Sequence, residues 1–202
     1  MSTKLANPAP LGLMGFGMTT ILLNIHNAGF FPIDSMILAM GIFYGGLGQV
    51  IVGIMCFKRG DTFGTTAFTS YGLFWLTLVG LIVMPEMGLT ASPEGFMGWY
   101  LTLWAIFTGF MFVGSLCYPT AKQVVFGSLT ILFALLALRD FTGSHFIGTI
   151  AGFEGIFVGA SAIYFAMAQV LNAEFGREVM PVGKPLIGRT KEEAPVGKQA
   201  TA

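Results

Sequence analysis

Six long apolar stretches, each bracketed by turn-forming or charged residues, dominate the pattern of hydrophobic and polar positions. They run from about Leu11 to Ala28, Ser35 to Phe57, Phe63 to Met84, Phe96 to Tyr118, Gln123 to Leu138 and Phe146 to Leu171. A helix needs about 20 apolar residues to cross the roughly 30 Å hydrocarbon layer of a bilayer, and these stretches have that order of length. In hydrocarbon every backbone N–H and C=O must pair within its own segment, so the stretches predict helices and not strands. Only one formally charged residue, Glu154, falls inside them. The separators carry turn and charge signals, among them Lys58-Arg59-Gly60-Asp61, Pro119-Thr120-Ala121-Lys122 and Arg139-Asp140-Phe141-Thr142-Gly143. The expected fold is an all-α integral membrane protein, a six-transmembrane-helix bundle over residues 11–172 with cytoplasmic termini. A short N-terminal segment (1–10) precedes it, and a polar Pro-, Gly- and Lys-containing tail (173–202), expected to be mobile, follows it.

Orientation follows from the basic residues. Lys4, Lys58, Arg59, Lys122, Arg177, Lys184, Arg189, Lys191 and Lys198 all fall on one side of a six-span arrangement, and Arg139 alone on the other. Cytoplasmic loops are the ones enriched in Lys and Arg, which places both termini in the cytoplasm and the chain in the cell (inner) membrane as a multi-pass protein.

Composition agrees with this class. Charged residues make up 10% of the chain and hydrophobic residues 54%, against about 25% charged in an ordinary soluble domain. The formal charge is zero, so no basic surface argues for nucleic acid. The opening Met-Ser-Thr-Lys-Leu-Ala-Asn lacks the basic, apolar, then small-residue order of a cleaved signal peptide. Cys56 and Cys117 read as small buried hydrophobes and not as a disulfide or metal pair. No metal site, cofactor or catalytic group is expected, because the spans hold no His/Cys/Asp/Glu cluster, nucleophile elbow or phosphate loop.

Polar residues inside the spans are the candidates for chemistry. At about 100° per residue, Gly12, Phe16, Thr20, Asn24 and Asn27 share a face of the first span. Polar groups facing lipid are costly, so this face should look into protein or water. It serves either as a pore-lining stripe or as interhelical hydrogen bonding worth on the order of 0.6 kcal/mol per pair; the pore reading is favoured. His26 points off that face and reads as a packed neutral side chain. On the third span Tyr71 lies about 180° from Thr62, so the two should not line one lumen unless the helix is distorted. Glu154 is a candidate proton site because it is an acid within a span; the competing reading is a protonated acid bonded to backbone. Gly41, Gly45 and Gly48, and separately Gly155, Gly159, Ala162 and Ala166, form small-residue stripes suited either to bundle packing or to a subunit contact.

The most specific signal stands just before the first span, in Asn7-Pro8-Ala9-Pro10-Leu11-Gly12-Leu13. A residue before proline is pushed out of the helical region, so Asn7 and Ala9 are predicted to be extended. Proline is welcome in the first helical turn, so a helix should start at about Pro10 with free N–H groups and a partial positive charge at its mouth. Such a start suits a carboxylate. This run resembles the NPAPLGL signature of the acetate uptake transporter family, the succinate–acetate permease group. Its continuation Met14-Gly15-Phe16-Gly17-Met18-Thr19-Thr20 looks like the same family's first helix. Phe63 to Trp75, Ser128 to Ala137 and Gly159-Ala160-Ser161-Ala162-Ile163-Tyr164 also resemble bacterial members.

The resemblance implies six helices around a path through each subunit and a homo-hexameric ring. It implies an apolar constriction of Phe16, Tyr71 and Leu129, and a position governing solute size at Ala162. It further implies acetate, and in several bacterial members succinate, as solutes, with protons favouring uptake. Small carboxylates, protons and the lipid bilayer are thus the expected partners, with Asn7 to Leu13, Thr19, Thr20, Asn24 and Asn27 as candidate solute contacts. Two other functions compete: a pore for a small neutral solute such as urea or ammonia, and a scaffold or sensor subunit that carries no flux.

Overall fold

A computed structural model describes residues 5–188. Six helices cross the bundle: α1 (Ala9–Asn27), α2 (Ser35–Lys58), α3 (Thr62–Glu86), α4 (Phe96–Ser115), α5 (Thr120–Thr142) and α6 (His145–Glu174). All six are long and apolar enough to span a bilayer, and no strand occurs among the described residues. The protein is a multi-pass membrane protein. Each predicted stretch corresponds to one helix, with α5 and α6 running further at both ends than the apolar runs.

Local chemistry sets the helix ends. Asp34 caps α2 by accepting from Met36 and Ile37 N–H at 3.1 and 3.2 Å. Asp61 caps α3 through Gly64 N–H at 2.9 Å, and Ser144 caps α6 through Ile147 N–H. These acceptors satisfy donors that the helix itself leaves orphaned. Gly143 stops α5 with φ 64°, a left-handed conformation that suits glycine.

The seams between helices are lined by small residues. On the α1–α6 seam, a Cβ built on Gly17 would meet the Gly159 carbonyl at 2.7 Å, and one on Gly159 would meet the Gly17 carbonyl at 2.6 Å. Gly155 lies against Asn24 and Gly152 against Ala28. On α2, Gly41 and Gly45 lie against Val79 and Trp75 of α3. Gly41, Gly45, Gly155 and Gly159 therefore serve close packing within the bundle, while Gly48 meets only Tyr44 and Phe43 of its own helix. One feature had no sequence signal: α2 winds as a π-helix over Gly41–Gly48. The Met40 carbonyl at its start accepts from the Thr19 hydroxyl at 3.4 Å, consistent with irregular backbone being tolerated where protein covers it.

As far as residue 188, the segment after α6 is hydrogen-bonded back onto the bundle. The Asn172 side chain holds Val179, Met180 and its carbonyl through three hydrogen bonds of 2.7–2.9 Å. Ala121 N–H donates to the Val182 carbonyl, and the Leu186 and Ile187 N–H groups to the Leu116 carbonyl. Tyr164 donates to the Pro181 carbonyl. The unpaired carbonyls and donors of a helix-end loop are what this strap satisfies. Residues 1–4 and 189–202, including Lys4, Arg189, Lys191 and Lys198, lie outside the described residues. Arg59 donates to the carbonyls of Leu5 and Ala6, so the N-terminal segment, the α2–α3 loop, the α4–α5 loop and the strap share one end of the bundle.

Candidate functional site

A cavity of about 400 Å³ opens at that same end and runs into the bundle. Its rim carries Asn7, Asp61, Tyr118, Lys122, Gln169, Asn172 and Val182. Its wall is made by Leu13, Gly64, Ala67, Phe68, Val125, Phe126 and Phe165, and its deepest lining is Phe16, Tyr71, Leu129 and Gln49. From Ala9 to Phe16 the first helix climbs about 10 Å at about 1.5 Å per residue.

The helices bring these side chains together because α1, α3 and α5 run parallel. Phe63 and Phe126, Tyr71 and Phe126, and Phe74 and Phe133 pair in rising order along α3 and α5. Residues one turn apart then form successive layers. Gly12, Ala67 and Val125 lie below Phe16, Tyr71 and Leu129; Thr20, Trp75 and Phe133 lie above them. The middle layer is dry: Phe16, Tyr71 and Leu129 are 6%, 4% and 3% exposed. The Phe16 and Tyr71 rings lie 6.1 Å apart at centroids, and Tyr71 is fixed by donating to Thr108 at 3.0 Å. The three residues expected to form a constriction thus converge at the blind end of one cavity.

The conflict between Tyr71 and Thr62 resolves without distortion. The face of α3 toward the cavity is Gly64, Ala67, Phe68 and Tyr71, at helical spacing. Thr62 and Thr66 instead line a shallower recess at the mouth with Arg59, Thr65 donates to the Asp61 carbonyl, and Thr69 lies against Gly53 of α2.

Two expectations about the Asn7–Leu13 run need correction. Ala9 is the first residue of α1 and not extended, and Pro8 before it is helical at φ −81°, ψ −15°. The preference of a pre-proline residue for extended backbone yields here because Asn7 Oδ1 takes the Ala9 N–H at 3.2 Å. Nor are there free N–H groups at the mouth. Pro8 and Pro10 have none, Ala9 gives its own to Asn7, and Leu11 and Gly12 donate to the Pro8 carbonyl at 3.1 and 3.4 Å. What the mouth offers a carboxylate is the helix dipole, the Asn7 amide, which donates to Gln169 at 2.8 Å, and the Lys122 ammonium. Lys122 stands over the Tyr118 and Phe63 rings at 3.4 and 3.7 Å from their centroids, a cation–π arrangement.

The polar stripe on α1 divides. Gly12 packs against Phe68 and Val52, and Phe16 reaches the cavity. Thr19, Thr20 and Asn24 are buried beyond the constriction. Asn24 donates to the Thr20 carbonyl at 2.8 Å and accepts from Asn27 at 3.0 Å, so these amides bond within α1 while Asn24 seats against Gly155. Pro8, Pro10 and Leu11 do not line the cavity. Ala162 is fully buried on α6 within the core. Glu154 is half-buried on α6 and is not among the cavity-lining residues. His26 Nδ1 donates to the Phe31 carbonyl at 2.8 Å, closing the loop after α1. Cys56 and Cys117 are both free, and no group of acids, histidines and cysteines suited to a metal occurs among the described residues.

Sequence reasoning missed Gln49, Gln169, Lys122 and Asp61 as lining residues. Gln49 carried a usable signal: it is a strongly polar residue inside an apolar span, which marks a buried polar role.

The GPR1/FUN34/yaaH family model matches residues 1–182. The chain belongs to that family. It is 60% identical over 184 residues to the succinate-acetate/proton symporter SatP of Escherichia coli (strain K12), covering 91% of this chain and 98% of that protein. A solved structure described as that of the bacterial acetate channel SatP superposes with a TM-score of 0.88 at 60% identity, covering 89% of this chain and all of that one. More distant relatives include acetate permease A of Emericella nidulans (33% over 198 residues, 89% of this chain and 66% of that protein). The ammonia transport outward protein 2 of Saccharomyces cerevisiae is 36% identical over 180 residues, 85% of this chain and 64% of that protein.

Proposed function

We propose that this protein carries acetate, and succinate with it, across the cell inner membrane through the path within each subunit, with a proton accompanying the solute. Both termini face the cytoplasm in this reading, and the subunits assemble as a homo-hexamer. The observation that carries it is the cavity itself. A rim with Lys122 and the Asn7 amide leads to a dry neck of Phe16, Tyr71 and Leu129. The rim sets the Lys122 ammonium and the Asn7 amide beside the Asp61 carboxylate, so it can meet a carboxylate with donors, and the neck strips water from it. A bare ion in such a passage costs several kcal/mol even after relaxation, which favours small solutes that shed their charge. The names of the bacterial symporter, the bacterial channel and the fungal permease support the same solute class. Ala162, behind the neck, would set solute size through packing. Glu154 is not among the residues that line this cavity.

The neutral-solute reading draws on the yeast ammonia-export relative. Labelled acetate, urea and ammonium uptake into proteoliposomes, with and without a pH gradient, separates the functions. Gradient-driven accumulation of acetate supports coupling, and equilibration alone supports a channel. Ammonium or urea flux without acetate flux favours the neutral pore, and no flux of any of the three favours a scaffold.

A further inference from the structure

Three buried side-chain polar atoms among the described residues have no hydrogen-bond partner: Gln49 Oε1, Thr20 Oγ1 and Trp75 Nε1. An unpaired buried polar group is costly, on the order of 1–3 kcal/mol, so its position calls for a partner. All three gather at the neck. Gln49 lines the blind end of the cavity beside Phe16 and Tyr71, and is 1% exposed. Thr20 and Trp75 stand one turn beyond Phe16 and Tyr71 on the same helices. The neighbours of Gln49 on α2 fix its level: Val52 reaches Gly12, and Gly45 touches Thr19 and Trp75.

Neither polar atom of the Gln49 amide takes part in a hydrogen bond among the described residues, so the side chain presents one acceptor and one donor together. A carboxylate anion offers nothing but acceptors, whereas a carboxylic acid brings one O–H donor. We infer that Gln49 recognises the solute as the neutral carboxylic acid at the entrance to the neck, its Oε1 accepting the acid O–H while its amide NH₂ donates to the acid carbonyl. The proposal rests on the transport reading above and deepens it. The proton that accompanies each solute is then carried on the solute: a carboxylate and a proton from the bulk combine into the acid, which crosses the neck whole and dissociates beyond it. Thr20 and Trp75 provide the next hydrogen-bonding positions on the far side. No side chain needs to titrate. The ionisable groups lining the cavity are Asp61 at the cap of α3, Tyr71 on α3, Tyr118 before α5 and Lys122 on α5; α1, α2 and α6 bring none. Asp61 caps α3, and the Tyr71 hydroxyl is committed to Thr108.

An acid with a pKa like that of Glu, about 4.3, is neutral in roughly one molecule in 500 at pH 7. Uptake at fixed total acetate should therefore fall about tenfold per pH unit above that value. The test uses the full-length protein in sealed phospholipid vesicles with a trapped pH dye, radiolabelled acetate as the probe and a potassium–valinomycin voltage clamp, with protein-free vesicles subtracted. The expected result is one proton entering per acetate and no response to the clamped voltage. Gln49→Leu should take up acetate at roughly a tenth of the wild-type rate or less, the effect of losing about 1.4 kcal/mol of recognition. Gln49→Glu should keep near-wild-type uptake at about pH 4, where its own carboxyl presents the same donor–acceptor pair, and lose it more steeply than wild type as pH rises. Voltage-driven acetate uptake by the wild-type protein would overturn the inference, and that measurement needs no variant to fold. Wild-type rates in a correctly folded Gln49→Leu would overturn it as well. Either result leaves acetate transport standing, whereas wild-type vesicles that take up no acetate would remove the transport reading itself.

Discussion

The α1–α6 seam gives the sharpest quantitative prediction, because backbone meets backbone there. In Gly17→Ala the new methyl carbon would lie 2.7 Å from the Gly159 carbonyl oxygen and 2.8 Å from Ile163 Cγ1. Ordinary contact begins near 3.4 Å. A carbonyl on a packed helix cannot rotate away as a side-chain tip can, so the two helices must separate by about 0.7 Å. A gap of 0.5–1 Å forfeits about a quarter to a half of each dispersion contact across it. Against this, alanine in a helix regains up to about 1 kcal/mol over glycine. Overpacking costs about 1–3 kcal/mol, so a net loss of about 1 kcal/mol is expected, on the order of 3 °C in Tm for a chain of this size. Thiol-reactive dye melting of the purified protein reads this directly, since Cys56 is free and 1% exposed in the folded state. Gly109→Ala is the control: its methyl would meet nothing nearer than Thr130 Cγ2 at 3.9 Å, so its Tm should hold or rise. Because Gly17 and Gly159 press on each other, the double variant should lose less than the sum of the two singles. A Gly17→Ala protein that melts with wild type, or a fully additive double variant, would refute the backbone-contact reasoning.

Other expectations test the neck and mouth. Leu129→Ala widens the dry layer and should admit bulkier acids such as lactate; competition of lactate with labelled acetate checks this, and an unchanged uptake profile counts against the neck assignment. Tyr71→Phe loses the 3.0 Å bond to Thr108 and leaves that hydroxyl without its donor, at a cost of about 1 kcal/mol in melting experiments, while acetate uptake stays within about twofold because the ring still fills its place. Asn7→Ala removes both the acceptor for the Ala9 N–H and the bond to Gln169; it should lower stability by about 1 kcal/mol and raise the acetate concentration for half-maximal uptake. Deleting the basic charge in Lys122→Met should weaken acetate uptake more at low than at high ionic strength, since exposed charges are screened by salt.

The number of spans was legible in the hydropathy pattern because the bilayer forbids anything but helices over such apolar runs. The side on which Lys58, Arg59, Lys122, Arg177 and Lys184 gather was legible for a related reason: six crossings return the chain to the side where it began. Helical periodicity also assigned Phe16 to an inward face, whereas Leu129 was named only through the family resemblance. Tertiary structure decided what periodicity within one helix cannot reach. Which face of α3 meets the cavity depended on where α2 and α4 pack, and the choice fell on Gly64, Ala67 and Tyr71 instead of Thr62. Whether the helix mouth keeps free donors depended on the Asn7 side chain and the Pro8 carbonyl turning back on their own chain. That Asn24 seats against Gly155 while Gln49 is left unpaired beside the neck depended on the register between neighbouring helices. Register is fixed by contacts between residues far apart in the chain, and no local pattern encodes it.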